Sequence, residues 1–367
     1  MRLLLLLFGT PLGLLTAQTT DTLPHRLSVR ATVDAYYAYH STDAGDPFSP
    51  YLSAGPRAGQ FGLNLAQAGF DYRFRRWRAA FTYQTGDIPA SSWSGAFPNV
   101  QEANAGYRLA DELWIDAGFF LTHIGFESIL PQQKYLSSTA YLSWNEPFFQ
   151  SGLRLSYSPG DRVTLQGWLL NGYNSFVDNN EAKSVGLSLS YTPTDATLLS
   201  YNNLFGDEAP RGTDRRQFRS VNNLYWRQQW TGSFLSVLNY SLFTQGNSDP
   251  ERPEEGSTAS GAFLTLRYAL TDRWSLTARG EYFRDEHGII SGQVPTPDPD
   301  ATAGLDVTGY TLSLEYRPTD RTYFRAAGRL GGQADEIALF RREGSRVNER
   351  LEILLTTGVA LQRAFNY

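Results

Sequence analysis

The chain has 367 residues, 14% of them aromatic, one methionine, no cysteine and a net charge of -5 at pH 7. Without Cys there are no disulfides, iron-sulfur clusters or thiolate zinc sites, and the chain is compatible with an oxidising compartment outside the cytoplasm. The acidic balance lacks the basic footprint that nucleic acid requires, a 41% hydrophobic fraction excludes disorder, and only the N-terminus approaches the roughly 20 apolar residues of a membrane-spanning helix.

Met1-Arg2, an apolar run from Leu3 through Leu15, and Leu15-Thr16-Ala17 before Gln18 read as a secretory signal, so residues 1–17 are expected to be cleaved. Residues 18–26 are then a short periplasmic segment. From Leu27 the sequence alternates with period two: Leu27, Val29, Ala31, Val33, Ala35, Tyr37 and Tyr39 are interleaved with residues such as Arg30 and Asp34. That is a strand with one apolar face.

The alternation recurs at Leu153 to Tyr157, Val185 to Tyr191, Ala262 to Tyr268 and Tyr310 to Tyr316, and these strands end in a Tyr followed by a turn. The turns are Tyr157-Ser-Pro-Gly-Asp161, Tyr191-Thr-Pro-Thr-Asp195, Tyr268-Ala-Leu-Thr-Asp272 and Tyr316-Arg-Pro-Thr-Asp320, with Tyr107-Arg-Leu-Ala-Asp111 and looser copies at Tyr72 and Tyr225. Pro, Gly, Thr and Asp at these offsets make tight hairpins. Seven such turns, a first strand from Leu27 and a last one from Ile353 to Tyr367 predict about 16 strands.

Tight turns at one end and longer loops at the other, such as 122–150 and 285–305, are the asymmetry of a transmembrane β-barrel. The predicted fold is therefore all-β, an antiparallel up-and-down barrel over residues 27–367 with its apolar face toward outer-membrane lipid. Aromatic residues flank the short turns: Tyr72, Trp77, Tyr107, Tyr157, Tyr191, Tyr225, Trp226, Trp230, Tyr268, Trp274, Tyr316 and Tyr323. Of these, Tyr107, Tyr157, Tyr191, Tyr268, Trp274 and Tyr316 are assigned to the periplasmic girdle, where a ring body is buried and its polar tip stays wet. A soluble sandwich has no reason to repeat that placement.

The other phase carries Arg30, Asp34, Arg78, Asp116, Arg154, Arg267, Arg279, Glu281, Glu315, Arg325 and Arg329, which are expected to line a water-filled lumen and to stay solvated there. The loop at 122–150 is the third external one and is expected to fold inward, with Glu127, Lys134 and Glu146 as constriction candidates. Its alternative position is over the barrel rim. The final strand ends on Phe365 and Tyr367 and resembles the C-terminal signature of outer-membrane barrels, which implies recognition by the barrel-assembly machinery.

Four segments, Thr122-His-Ile-Gly-Phe-Glu127, Glu146-Pro-Phe-Phe-Gln-Ser-Gly-Leu-Arg-Leu-Ser-Tyr157, Leu170-Asn-Gly172 and Arg279-Gly-Glu-Tyr-Phe-Arg-Asp-Glu-His-Gly288, together resemble the putative β-barrel porin type 2, OmpL-like family, from about Leu27 to the C-terminus. The resemblance implies a passive outer-membrane channel. Gly280 and the Pro/Asp-rich stretch after Gly288 depart from it.

Other chemistry finds little footing. His25, His40, His123 and His287 lie on separate segments without metal-ligand spacing, and His123 with Ser128 is the one pair worth weighing as a lipase-like site. Asp285, Glu286, Asp298, Asp300 and Asp306 match no defined calcium loop. No cofactor or metal is expected. A first strand near Leu27 leaves no room for the plug of a TonB-dependent transporter. The expected function is passive diffusion of small hydrophilic solutes, with an anion preference from Arg154, Arg267, Arg279, Arg325 and Arg329. A homotrimer is possible by analogy with other sixteen-stranded barrels. The alternative is a blocked barrel that binds a partner through its external loops, and an enzyme at the rim is a distant third.

Overall fold

The computed structural model describes residues 25–43, 47–250, 252–296, 302–334 and 337–367. The expected signal at 1–17, most of the 18–26 segment, and Asp298 and Asp300 lie outside the described residues.

Sixteen strands close a barrel in sequence order. They are β1 (Arg26–His40), β2 (Phe61–Phe74), β3 (Trp77–Thr85), β4 (Val100–Ala110), β5 (Leu113–Leu121), β6 (Phe149–Tyr157), β7 (Val163–Leu170), β8 (Ser184–Thr194), β9 (Thr197–Asp207), β10 (Phe218–Gln229), β11 (Phe234–Gln245), β12 (Ser257–Ala269), β13 (Trp274–Arg284), β16 (Asp306–Thr319), β17 (Thr322–Gln333) and β20 (Glu349–Asn366). Two small hairpins, β14 (Val294–Pro295) with β15 (Thr302–Ala303) and β18 (Phe340–Arg342) with β19 (Ser345–Val347), sit inside the last two loops. Every neighbouring pair is antiparallel. β1 pairs with β20 along its whole length, from Arg26 against Asn366 to His40 against Glu352, so the wall has no free edge. The last strand thus starts earlier than its alternation indicates, at Glu349 rather than Ile353.

The predicted asymmetry is present. Two residues, Arg75 and Arg76, join β2 to β3, and Asp111 and Glu112 join β4 to β5. One residue in each turn, Arg75 at φ 51° and Glu112 at φ 62°, adopts the left-handed conformation that lets the chain reverse in so few residues. At the other end a short helix α1 (Asp87–Ser92) lies between β3 and β4, and the β5–β6 connection occupies 122–148 and contains a 3-10 turn (Pro131–Gln133) and a short helix α2 (Tyr141–Asn145).

Inside and outside are inverted relative to a soluble protein. On β16, Tyr310, Leu312 and Leu314 are exposed while Thr311, Ser313 and Glu315 are buried, and the same pattern runs round the wall. So continuous an apolar outer surface is stable only against hydrocarbon. At the short-turn end the aromatic ring contacts run across strands, Trp77 on Tyr107 at 4.8 Å and Trp274 on Tyr316 at 4.7 Å. Tyr157, Tyr191 and Tyr268 are exposed there as well. Two aromatics grouped with this belt face inward instead. Tyr225 is 3% and Tyr323 1% exposed, because each sits on the polar phase of its strand, in register with inward residues.

Candidate functional site

All eleven residues assigned to the lumen lie on the inward phase, yet the expectation that water alone would solvate them is corrected. Seven of them, Asp34, Asp116, Arg279, Glu281, Glu315, Arg325 and Arg329, are buried, and a buried charge must be paired to persist. Asp34 accepts from Asn64 at 2.6 Å and from the Tyr323 hydroxyl. Asp116 is held by Arg78 and, at 3.2 Å, by Arg154. Glu315 gathers Arg267 at 2.9 Å, Arg317 at 2.9 Å and Arg325 at 2.6 Å. A further chain crosses β13, β17 and β20, from Arg279 to Glu281 (3.1 Å), Glu281 to Arg329 (3.1 Å), and Glu352 to Arg350 (2.8 Å). Arg30, Arg78, Arg154 and Arg267 stay half-buried.

What covers the buried charges is the 122–148 loop, which folds into the barrel rather than over its rim. Glu127 meets Arg279 at 2.7 Å and accepts the Ala140 N–H at 2.7 Å. Glu281 accepts the Tyr141 N–H at 2.6 Å, at the first residue of α2. Arg325 donates to the carbonyls of Pro131 (2.9 Å) and Lys134 (2.7 Å). Lys134 donates to Thr139 at 2.7 Å, and Ser137 bonds Thr356 on β20 at 2.6 Å. The three constriction candidates therefore divide. Glu127 and Lys134 lie together facing β13 and β17, whereas Glu146 turns to the β10–β11 sector, where its Oε1 accepts from Ser241 at 2.6 Å and from Asn223 at 3.3 Å.

Charge is only half of the docking. Tyr135, Ala140, Tyr141 and Leu142 of the loop join a buried apolar cluster with Phe120, Val221, Val237, Phe243, Phe263 and Phe283 of the wall, extended by Ile289, Val294, Leu305 and Ile337 of the later loops. A cavity of about 40 Å³, room for one or two waters, remains between Lys134 and Tyr135 on the loop and Leu198, Phe263 and Thr265 on the wall. Burial and the polarity of these partners also move the loop's titrations. Burial pushes the Glu146 carboxyl up to about 7 and the Lys134 ammonium down to about 8. Burial acts upward on Glu127 too, but the Lys134 and Arg279 charges outweigh it and hold that carboxyl below its ordinary range.

His123 is not paired with Ser128. Its ring stacks on Trp168 at 4.8 Å, Nδ1 faces Gln150 at 2.9 Å, and Nε2 lies 2.8 Å from the Asn203 carbonyl, while Ser128 accepts the Leu130 N–H. A neutral imidazole donating to Asn203 satisfies this arrangement, since the Gln150 amide can be turned to donate. Among the described residues no group of three or more His, Cys, Asp or Glu is placed to hold a metal ion.

Sequence reading missed Tyr141 and Tyr323, which brace the loop and Asp34, and the inward arginines Arg26 and Arg73. The last two are in phase with Arg30 and Asp71, a signal the period-two pattern contained.

Comparison with known proteins follows this geometry. The family described as "Putative beta-barrel porin-2, OmpL-like" matches residues 26–362. No curated protein matches the sequence. Among solved structures, the outer membrane channel DcaP of Acinetobacter baumannii superposes with a TM-score of 0.61 at 10% identity, over 94% of this chain and 100% of that one. The anion-selective porin from Comamonas acidovorans gives 0.60 at 10% identity, over 92% and 100%. The trimer form of OmpT from Vibrio cholerae gives 0.60 at 12% identity, again over 92% and 100%.

Proposed function

Because the chain belongs to the Putative beta-barrel porin-2, OmpL-like family and is a channel-type barrel of the bacterial outer membrane, we propose that it is a porin for passive diffusion of small hydrophilic solutes and ions. The observation that carries this reading is the inward 122–148 loop, docked on β13, β17 and β20 and narrowing a barrel whose inner wall carries the charged residues described above. Glu127 and Lys134 set the charge of that narrowing. A weak anion preference follows from the inward arginines that outnumber carboxylates in the β1–β6 sector, since bore and fixed charge together select what passes. Single-channel recording in planar bilayers tests the reading. Discrete conductance steps with an anion-favouring reversal potential are expected, and a silent bilayer would defeat it.

One observation favours a second reading. The apolar cluster joining loop and wall is of the kind that seals an interior, and a barrel blocked there would serve as a surface-binding protein through its external loops. Liposomes loaded for swelling assays with small sugars separate the two, because a sealed barrel admits none.

Two further assignments accompany the first reading. Two separate groups of small outward residues, Ala31 against Ala68 and a row Ala79–Ala105–Ala117 across β3, β4 and β5, are suited to close wall-to-wall contact in a homotrimer. Cross-linking of the purified protein tests it. At the seam, Phe365 pairs with Leu27 and Tyr367 is exposed, an arrangement that leaves the terminal aromatic available to the barrel-assembly machinery.

A further inference from the structure

At the short-turn end of the lumen three arginines stand side by side. Arg26 of β1 is the direct cross-strand partner of Arg73 on β2, and Arg73 is in turn the partner of Arg78 on β3. Directly opposed side chains on one face have Cβ atoms about 5 Å apart, and like charges so placed destabilise a sheet. The neighbouring carboxylates do not resolve the conflict. Asp116 is already shared between Arg78, whose Nε donates at 2.6 Å, and Arg154. Glu102 is taken by Arg30, and Asp71, bound to Arg30, is shared with the field of Arg26, so one carboxylate serves two of the cations.

Among the described residues neither Arg26 nor Arg73 makes a side-chain hydrogen bond or ion pair. The contact that Arg73 does make is with the Trp114 ring, 5.2 Å away, on which Arg78 also lies at 4.4 Å. The nearby cations Arg78, Arg26 and Arg108 act on Arg73, and Asp116 opposes them. Both Arg26 and Arg73 are half-buried, so water in the lumen reaches them. The sector across the seam, from β20 back to β13, is built differently, because there the arginines converge on Glu315, Glu281 and Glu352.

We infer that Arg26, Arg73 and Arg78 form an oxyanion-binding site in the periplasmic vestibule, taking the phosphate, sulfate or carboxylate group of a small solute. The guanidinium fork matches such groups with paired N–H donors, and the oxyanion supplies the negative charge that the row lacks. Trp114 holds Arg73 and Arg78 in place beneath the ligand. This deepens the channel reading by naming what its periplasmic end selects, and it rests on that reading for its physiological use but not for the binding itself.

The test uses the full-length protein in detergent, titrated with inorganic phosphate in a calorimeter, beside the same protein in planar bilayers. Saturable phosphate binding is expected. It should weaken by about tenfold in Arg73→Gln and more in the Arg26→Gln/Arg73→Gln pair, and stay unchanged in Arg162→Gln on a remote turn. Arg73→Lys keeps the charge but loses the fork and should fall between. Because Arg73→Gln relieves repulsion, its heat-modifiable gel migration should persist to the same or a higher temperature, which separates a binding role from a structural one. Absent saturable binding, or binding indifferent to the double variant, overturns the site. Phosphate binding with no conductance would keep the site and remove the channel, while conductance with no phosphate binding would do the reverse.

Discussion

The guanidinium of Arg329 on β17 lies 3.7 Å from the centroid of the Tyr141 ring, and its Nη2 is 3.1 Å from Glu281, the same carboxylate that accepts the Tyr141 N–H. One wall residue thus clamps the loop by its ring and, through Glu281, by its backbone. Replacing Arg329 by Gln strips Glu281 and Glu352 of a buried counter-ion. Losing one partner of a buried pair costs about 3–5 kcal/mol. The expected outcome is a lower urea midpoint for barrel unfolding and faster proteolysis within 122–148.

Removing the loop removes the restriction. A variant in which residues 128–144 are replaced by a short Gly/Ser linker should still fold, because the wall's hydrogen bonds close without it, and its single-channel conductance should rise several-fold. A conductance equal to that of the parent would show that the loop does not narrow the path.

Glu146 gives the loop a pH dependence. Its carboxyl titrates near 7 when docked, against an ordinary value near 4.5, so the docked state binds more protons than the released one between those limits. Docking is then fully favoured below about 4.5 and loses stability as pH rises to 7, by an amount on the order of 3 kcal/mol. Lys134, lowered to about 8, has the opposite slope, since the released state binds the extra proton and docking gains stability as pH rises from about 8 toward 10.5. Hydrogen exchange of the loop amides across pH 4 to 10 should show weakest protection between 7 and 8. Glu146→Gln should flatten the acidic limb.

Gly118 and Gly152 face each other across β5 and β6, both with strongly positive φ, at 134° and 148°. A Cβ at Gly118 would run into the Ala103 carbonyl of the adjacent strand. Gly118→Ala should therefore cost at least about 1–3 kcal/mol and slow assembly, read as a smaller heat-modifiable fraction on gels.

The wall was legible because its physics is local. Alternation at Leu27 to Tyr39 or Tyr310 to Tyr316 fixes which face is greasy, and turn chemistry at Tyr157-Ser-Pro-Gly-Asp161 fixes where the chain reverses. Sixteen strands and their inward residues follow from those two signals. The interior was less legible, since nothing near Arg279 in sequence announces Glu127, and nothing near Asp34 announces Tyr323. Those pairings join residues far apart along the chain and exist only once the barrel is round. The same holds for the arginine row: each member has the right phase, but that Arg26, Arg73 and Arg78 are neighbours depends on the register of three strands. Tyr225 and Tyr323 flank short turns as the girdle aromatics do yet face inward, for the related reason that sitting beside a turn does not fix the face.

The seam between β1 and β20 has a kinetic meaning. The two strands that complete the cylinder are the first and the last to leave the ribosome, so no portion of the polypeptide can become a finished tube while its remainder is still being secreted. Every copy must cross the envelope's aqueous gap with both ribbon borders unzipped.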